Sequence, residues 1–279
     1  MLIPPPAAAQ TRCAVLGSPI AHSLSPVLHR AAYATLGLSW SYEAVEVDEA
    51  GLVGFVGGLG EQWRGLSLTM PLKRVVLPLL DEVSETAATA GAANTVVIAG
   101  GRRYGDNTDV PGAAAALRER YSGPVEQVVV LGGGATAASV LLAAADLGCA
   151  RAHLMVRDPA RAADTVAAVA RHPRAPEISV GSLEGSAPRA DVVVSTVPAA
   201  AQTPELLDRV LGRLSGAAFD VVYDPWPSPL LTAAASHAAL VHGLDLLAHQ
   251  AVLQVRLMTG HDVEVEVLRS AGLAALGVG

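Results

Sequence analysis

Lysine is almost absent from this chain. Of its 19 basic residues only Lys73 is a lysine, and the rest are arginine. Asparagine is nearly as scarce, with Asn94 and Asn107 alone. Cysteine is limited to Cys13 and Cys149, with no CxxC pair. That excludes a disulfide framework and suits the reducing cytoplasm. Aromatic residues make up 4% of the chain and charged residues 16%, which disfavours an aromatic-rich sandwich. The formal net charge of −7 denies nucleic acid the basic face it would need, so any anionic ligand must be met locally. His22, His29, His237, His242 and His249 form no HExxH or Cys/His pattern, so no metal site is expected and they read as scattered surface or interfacial side chains. No uninterrupted apolar run reaches membrane-span length, so no membrane partner is expected. The opening "MLIPPPAAAQ" has three prolines and no basic region, and reads as a loose start, not a signal peptide.

What is present is an apolar, alanine-rich chain: 51% of its 279 residues are hydrophobic, enough for one large domain or two ordinary ones. The rhythm divides it into three parts. In the first, "CAVLG", "SYEAVEV" and "RGLSLT" are strand-like. "SPVLHRAAYATLG" reads as a helix with Ser25 as N-cap, Pro26 at its first position and Gly37 as its stop. Pro71 opens another helix, and "NTVVIAGGRRYGDNTD" reads as a hairpin turning near Gly100 and Gly101. In the middle part, unbroken apolar strands such as "VEQVVVL", "RAHLMV" and "DVVVS" alternate with helices. This pattern means a parallel sheet covered on both faces. The last part, from "HGLDLLAHQAVLQVRLMTG", is helical.

"VLGGGATAAS" places Gly132-x-Gly134-x-x-Ala137 between a strand and a helix. Glycine lets a backbone approach a pyrophosphate, and the helix N-terminus offers amides and a positive dipole. A dinucleotide site is the expectation here. At the end of the next strand, "MVRDPARA" carries Arg157, Asp158 and Arg161. Arginines there favour the 2′-phosphate of NADP, whereas an acidic residue accepts from a ribose hydroxyl. Asp158 leaves that alternative open, as does a plain solvated loop.

Lys73 lies in "SLTMPLKRVV", and both asparagines lie near it in sequence. Arginine is effectively never deprotonated; lysine can be. A chain that has otherwise abandoned lysine would keep one where a proton must move, although chance survival of one lysine stays open. Serines in "HSLSP", the two asparagines and Asp109 together suit a small polyhydroxylated acid. Each also has a structural alternative: Ser25 as a cap, Asn94 in a turn, Asp109 capping the helix from Val110.

These motifs together resemble the shikimate dehydrogenase family. "SLSP" resembles its substrate-carboxylate motif and implies Ser23 and Ser25. "SLTMPLK" is similar to N-V-T-x-P-x-K and implies Thr69 and Lys73. "GAANT" implies Asn94, and "GDNTD" implies Asp109. The turn "VLGGGATA" stands where the family binds pyrophosphate, implying Gly132, Gly133, Gly134, Ala135 and Thr136. "MVRDPAR" stands at the NADP phosphate, implying Arg157, Asp158 and Arg161. "DVVYDPWPSPLL" implies Val221 near the nicotinamide and Tyr223 near the substrate, and "GLDLLAHQA" implies Gly243 and Gln250. The chain departs from the family pattern with Ser67 for asparagine, Val156 for asparagine, Asp158 for threonine and Asp245 for glycine.

The resemblance implies an α/β fold of two domains. A substrate domain with a mostly parallel α/β sheet would comprise residues 1–109 together with C-terminal helices at 243–279. A Rossmann-type NADP(H)-binding domain at 110–242 would be inserted between them, with the active site in the cleft. It implies reversible reduction of 3-dehydroshikimate to shikimate, with Lys73 and Asp109 as the catalytic pair. Ser23, Ser25, Thr69, Asn94, Tyr223 and Gln250 would bind substrate. A quinate or aminoshikimate-type dehydrogenase and a non-catalytic binding paralogue stay open, and so does the oligomeric state, a homodimer included.

Overall fold

The computed structural model describes residues 11–278, apart from the side chain of Arg161. The opening stretch expected to be loose lies outside the described residues. The chain divides into two units, Met1–Thr108 with Leu247–Gly279 and Asp109–Leu246.

The first unit is built from β1 (Arg12–Gly17), α1 (Ser25–Thr35), β2 (Ser41–Glu46), α2 (Glu49–Gly57), β3 (Trp63–Leu68), α3 (Leu72–Val75), β4 (Glu82–Val83), α4 (Glu85–Ala90), β5 (Thr95–Ala99) and β6 (Arg102–Asp106). Its sheet order is β2-β1-β3-β5-β6-β4. β1 runs parallel to β2 and β3, while β5 is antiparallel to β3 and β6. The continuous apolar run from Cys13 to Leu16 is explained by burial of β1 on both faces. Leu16, Leu52, Leu66, Leu68, Leu72 and Val96 share one core. The β5–β6 hairpin turns where expected: Gly100 and Gly101 take φ of 58° and 76°, the pair of positive angles a tight two-residue hairpin turn needs.

Two expectations for this unit need correction. Ser25 is not the N-cap of α1. Leu24 holds that place in a helical conformation, its side chain makes no capping bond, and Ser25 is the first residue of the helix. Pro26 fits one position later because the first turn of a helix needs no proline N–H. His29 is not a surface histidine: it is fully buried, stacked on Tyr42 at 4.0 Å.

The second unit contains α5 (Asp109–Arg120), β7 (Gln127–Leu131), α6 (Ala135–Asp146), β8 (Arg151–Val156), α7 (Ala163–Val169), β9 (Glu177–Ser182), β10 (Ala190–Ser195), α8 (Pro204–Leu211), β11 (Leu214–Asp220), α9 (Pro229–Ala234) and β12 (Ala239–Val241). Its sheet order is β12-β11-β10-β7-β8-β9, and every pair is parallel. The order reverses between β7 and β10. In open α/β sheets that switch point, at the carboxyl ends of the strands, is where ligands bind. The following helix α10 (Gly243–Thr259) contains the division between the units, and α11 (Val265–Ala275) packs on α1 in the first.

The first turn of α10 is anchored within the second unit by Asp245. Its carboxylate accepts from the backbone N–H of His242 at 3.0 Å and from Arg120 Nη2 at 2.7 Å. Among the described residues no helix is long and apolar enough to cross a membrane, and no cluster of His, Cys, Asp and Glu could hold a metal.

Candidate active site

In the first unit, two loops leave the carboxyl ends of the adjacent parallel strands β1 and β3. They are tied to each other: Thr69 N–H donates to the Leu16 carbonyl at 2.9 Å, and Ser18 N–H donates to the Met70 carbonyl at 3.0 Å. A β-carbon at Gly17 would collide with the Thr69 methyl and crowd the Met70 carbonyl, so the close approach needs glycine there. Past Pro71 the short α3 begins, with Lys73 partly buried in it. The Lys73 carbonyl accepts from Ala93 N–H at 2.7 Å, which joins the lysine's turn to the segment leading into Asn94. On the β1 loop, Ser23 Oγ accepts from Ser25 N–H at 3.3 Å, and Ser25 is buried.

Asn94 is buried and held on several sides. Its Oδ1 accepts from Thr108 N–H and from Thr95 Oγ1, each at 2.8 Å. Its Nδ2 donates to Thr108 Oγ1 at 2.9 Å and to Gln250 Oε1 at 3.2 Å. Gln250 reaches it from α10. The structure thus brings Asn94 and Gln250 into contact across 156 positions. Asn107 is used locally, donating from Nδ2 to Ala92 O at 2.9 Å.

In the second unit the glycine turn follows β7. Gly132 has φ of 103°, a left-handed region that favours glycine. Thr165, fully buried, donates its hydroxyl to Gly133 O at 2.7 Å. Gly134 is the extended N-cap of α6, and no side chain caps that helix. A 12-residue helix begun without a side-chain cap presents first-turn amides and the positive end of its dipole, with Ala135 and Thr136 partly exposed there. These features fit a pyrophosphate. At the end of β8, Arg157 is exposed. Asp158 is exposed too, and its Oδ1 accepts from Ala160 N–H at 3.0 Å, capping the single 3-10 turn Pro159–Ala162. Arg161 lies in that turn, its side chain outside the described atoms.

Val221 leaves β11, donating its N–H to Ser195 O at 3.0 Å. Gly243 packs so closely on it that an added β-carbon would meet the Val221 carbonyl oxygen at 2.5 Å. Asp220, just before, is fully buried, and burial pushes its pKa up. It accepts from Gln202 Nε2 at 2.8 Å and from Val222 N–H at 3.0 Å, fixing the strand end. Tyr223 is partly exposed two residues beyond Val221. Asp109 is buried as the first residue of α5 and opens the second unit, whereas Lys73 belongs to the first.

Several members of these clusters escape a reading of the sequence. Gln254 lies one turn beyond Gln250 on the same face of α10, a spacing that points to it. Thr95, Thr165 and Gln202 have no comparable signal in the chain.

A parallel sheet with a glycine turn at its switch point, joined in one chain to a mixed sheet whose strand ends carry a lysine and an amide pair, defines a two-domain α/β protein with a Rossmann-type unit. Two family models match: the shikimate dehydrogenase substrate binding domain over residues 15–96, and the shikimate 5′-dehydrogenase C-terminal domain over residues 243–271. Shikimate dehydrogenase (NADP(+)) of Desulfitobacterium hafniense (strain Y51) is 36% identical over 270 residues, covering 95% of this chain and 98% of that protein. The crystal structure of Mycobacterium tuberculosis shikimate dehydrogenase superposes with a TM-score of 0.84 at 37% identity, covering 95% and 99% of the two chains. That of the Thermus thermophilus shikimate 5-dehydrogenase, in complex with NADP(H) and shikimate, gives 0.83 at 33%, covering 96% and 100%. The chain belongs to the shikimate dehydrogenase family, as its motifs suggest.

Proposed function

We propose that the protein catalyses the reversible NADPH-dependent reduction of 3-dehydroshikimate to shikimate. The observation that carries this most directly is the pairing of Asn94 with Gln250 at the carboxyl end of the sheet, on a segment tied to the turn of the lone lysine. The family supplies the reaction, and relatives of near-equal length bear that activity in their names.

We take the first unit, Met1–Thr108 with Leu247–Gly279, as the substrate part and the second, Asp109–Leu246, as the cofactor part. Gly132, Gly133, Gly134, Ala135 and Thr136 would hold the pyrophosphate, Arg157 and Arg161 the 2′-phosphate, and Val221 with Gly243 the nicotinamide end. Bound there, NADPH supplies the hydride that reaches the carbonyl carbon. Lys73 donates the proton that the carbonyl oxygen needs to become a hydroxyl, and takes it back in the oxidation. Asp109 is the other member of the catalytic pair that the family resemblance implies, assigned to a ring hydroxyl. Ser23 and Ser25 hold the carboxylate, a role open to Ser25 because it does not cap α1. Thr69, Asn94, Tyr223 and Gln250 bind the ring hydroxyls. An amine suits this work because it can be neutral in one direction and charged in the other. The enzyme is placed in the cytoplasm, where the free Cys13 and Cys149 stay reduced, and a homodimer is the assembly to test by sedimentation.

Initial rates with shikimate and quinate, each against NADP and NAD, test the assignment. Shikimate with NADP should be the fastest pair. Faster turnover of quinate with NAD would move the protein to the quinate branch, and absence of turnover with all four pairs would leave a binding paralogue.

A further inference from the structure

Three buried side-chain amides in the first unit have their orientations fixed by backbone groups, and together they set the polarity of the site. A carbonyl oxygen can only accept, and a backbone N–H can only donate. Asn94 faces Thr108 N–H at 2.8 Å, so the facing atom is Oδ1 and its Nδ2 is turned to Gln250. Gln250 faces the Leu247 carbonyl at 2.9 Å, so that atom is Nε2 and its Oε1 receives Asn94. Gln254 faces the Asn94 carbonyl at 3.2 Å, so that atom is Nε2 and its Oε1 is turned away.

The hydroxyls must then follow. Gln254 Oε1 accepts from Ser67 Oγ at 2.7 Å, and Ser67 in turn accepts from Tyr42 OH at 2.6 Å. The same Oε1 faces His29 Nε2 at 3.1 Å, so His29 must carry its proton on Nε2. Gln254 Nε2 donates to Thr95 Oγ1 at 2.9 Å, which leaves the Thr95 proton for Asn94 Oδ1 at 2.8 Å. Every donor in the series Tyr42, Ser67, Gln254, Thr95 therefore points toward Asn94. Gln254 is 1% exposed and uses all four of its hydrogen-bonding positions.

We propose that Gln254 and Thr95 are positioning residues for the reaction: through Thr95, Gln254 fixes the Asn94 amide, whose Nδ2 donates to Gln250 Oε1 and so leaves the second N–H of Gln250 Nε2 for the ligand, so that the site selects an oxygen that accepts. Gln250 spends one N–H on Leu247, and the other is the one a ring hydroxyl oxygen would take. Without the Thr95 hydroxyl, Asn94 Oδ1 keeps the Thr108 N–H but loses the side-chain donor at 2.8 Å, and its amide is held less firmly in register with Gln250. The proposal rests on the shikimate assignment made above.

Thr95→Val removes the relaying hydroxyl at nearly constant volume, and Thr95→Ser restores it. Shikimate affinity is to be measured by calorimetry alongside KM for shikimate and for NADP. The expected result is a shikimate KM and dissociation constant raised about three- to tenfold in Thr95→Val, near wild type in Thr95→Ser, with the KM for NADP unchanged in both. Gln254→Leu should repeat the shikimate effect if it folds, which a thermal melt decides, and the threonine pair stands without it. An unchanged shikimate affinity in Thr95→Val overturns the positioning role. So does a rise that Thr95→Ser shares, or one that NADP shares. A wild-type protein that neither binds nor oxidises shikimate overturns the assignment beneath it instead, so the two failures are distinguishable.

Discussion

Thr196 occupies the space that a side chain at Gly132 would need. Its hydroxyl donates to the Leu131 carbonyl at 2.8 Å, and a β-carbon built on Gly132 would run into that hydroxyl oxygen. The same glycine has φ of 103°. Gly132→Ala therefore meets both backbone strain, about 1–3 kcal/mol, and a collision with a fixed hydroxyl. The loop must move, and the first-turn amides of α6 move with it. The expected outcome is a weaker NADPH complex by at least about tenfold with a modestly lower Tm, since about 1.4 kcal/mol is a factor of ten. Fluorescence titration with NADPH checks it, and an unaltered affinity would dissociate the turn from cofactor binding.

Lys73 should be irreplaceable by charge alone. Lys73→Ala is expected to lower kcat by about 10²- to 10⁴-fold, the usual worth of general acid–base catalysis. NADPH binding should be nearly intact, because the lysine belongs to the other unit from the glycine turn. Lys73→Arg should be almost as poor, since a guanidinium does not release its proton. Near wild-type turnover in either variant removes the assigned role.

The parts that the sequence makes legible are those with local causes. β1 and β7 announce themselves as continuous apolar runs because both of their faces are covered. The Gly100–Gly101 turn and the Gly132 turn are visible because each needs a backbone conformation that few residues other than glycine adopt. What stays hidden depends on topology. Gln254 and Asn94 are 160 positions apart, and only the return of α10 to the first sheet brings them together. β4 and β12 span two and three residues, too short for any periodicity. Ser25 followed by Pro26 resembles a cap, yet Leu24 already has helical angles, and nothing local distinguishes the two arrangements. His29 looks like one of several scattered histidines until its stacking partner Tyr42 is placed.

That buried histidine gives the fold a pH dependence. Burial pushes the His29 imidazole from 6.5 down to about 4, so the folded state favours the neutral ring. The stabilisation is complete above the unfolded value near pH 6.5. It falls as the pH drops from there toward about 4, below which both states are protonated and nothing more is lost. The difference is on the order of 3 kcal/mol. His29→Phe keeps a ring against Tyr42 and removes the titration. Urea unfolding from about pH 7 to about pH 4 should show a steeper loss in the wild type than in this variant. Parallel curves would mean that the imidazole is protonated in the fold without cost.

Cofactor choice turns on Arg157 and Asp158, neighbours with opposite charge at the end of β8. Asp158 caps its own turn through Ala160 N–H, so its carboxylate has a structural task that needs an oxygen and not a charge. Asn caps as well as Asp. Asp158→Asn should therefore keep the turn and leave the stability within about 0.5 kcal/mol of the wild type. Removing the negative charge should raise the preference for NADP over NAD. Arg157, exposed beside it, should supply a charge-assisted contact to the 2′-phosphate, a bond worth roughly 1.5–3 kcal/mol. Arg157→Ala should accordingly raise KM for NADP by about ten- to a hundredfold while leaving KM for NAD nearly unchanged. The wild type should prefer NADP, because two arginines outweigh one carboxylate whose oxygen is already engaged by its own backbone. Kinetics with both cofactors on the three proteins decide the matter. If Asp158→Asn weakens NAD and leaves NADP unaltered, the carboxylate is a ribose contact. If Arg157→Ala weakens both cofactors equally, the phosphate lies elsewhere.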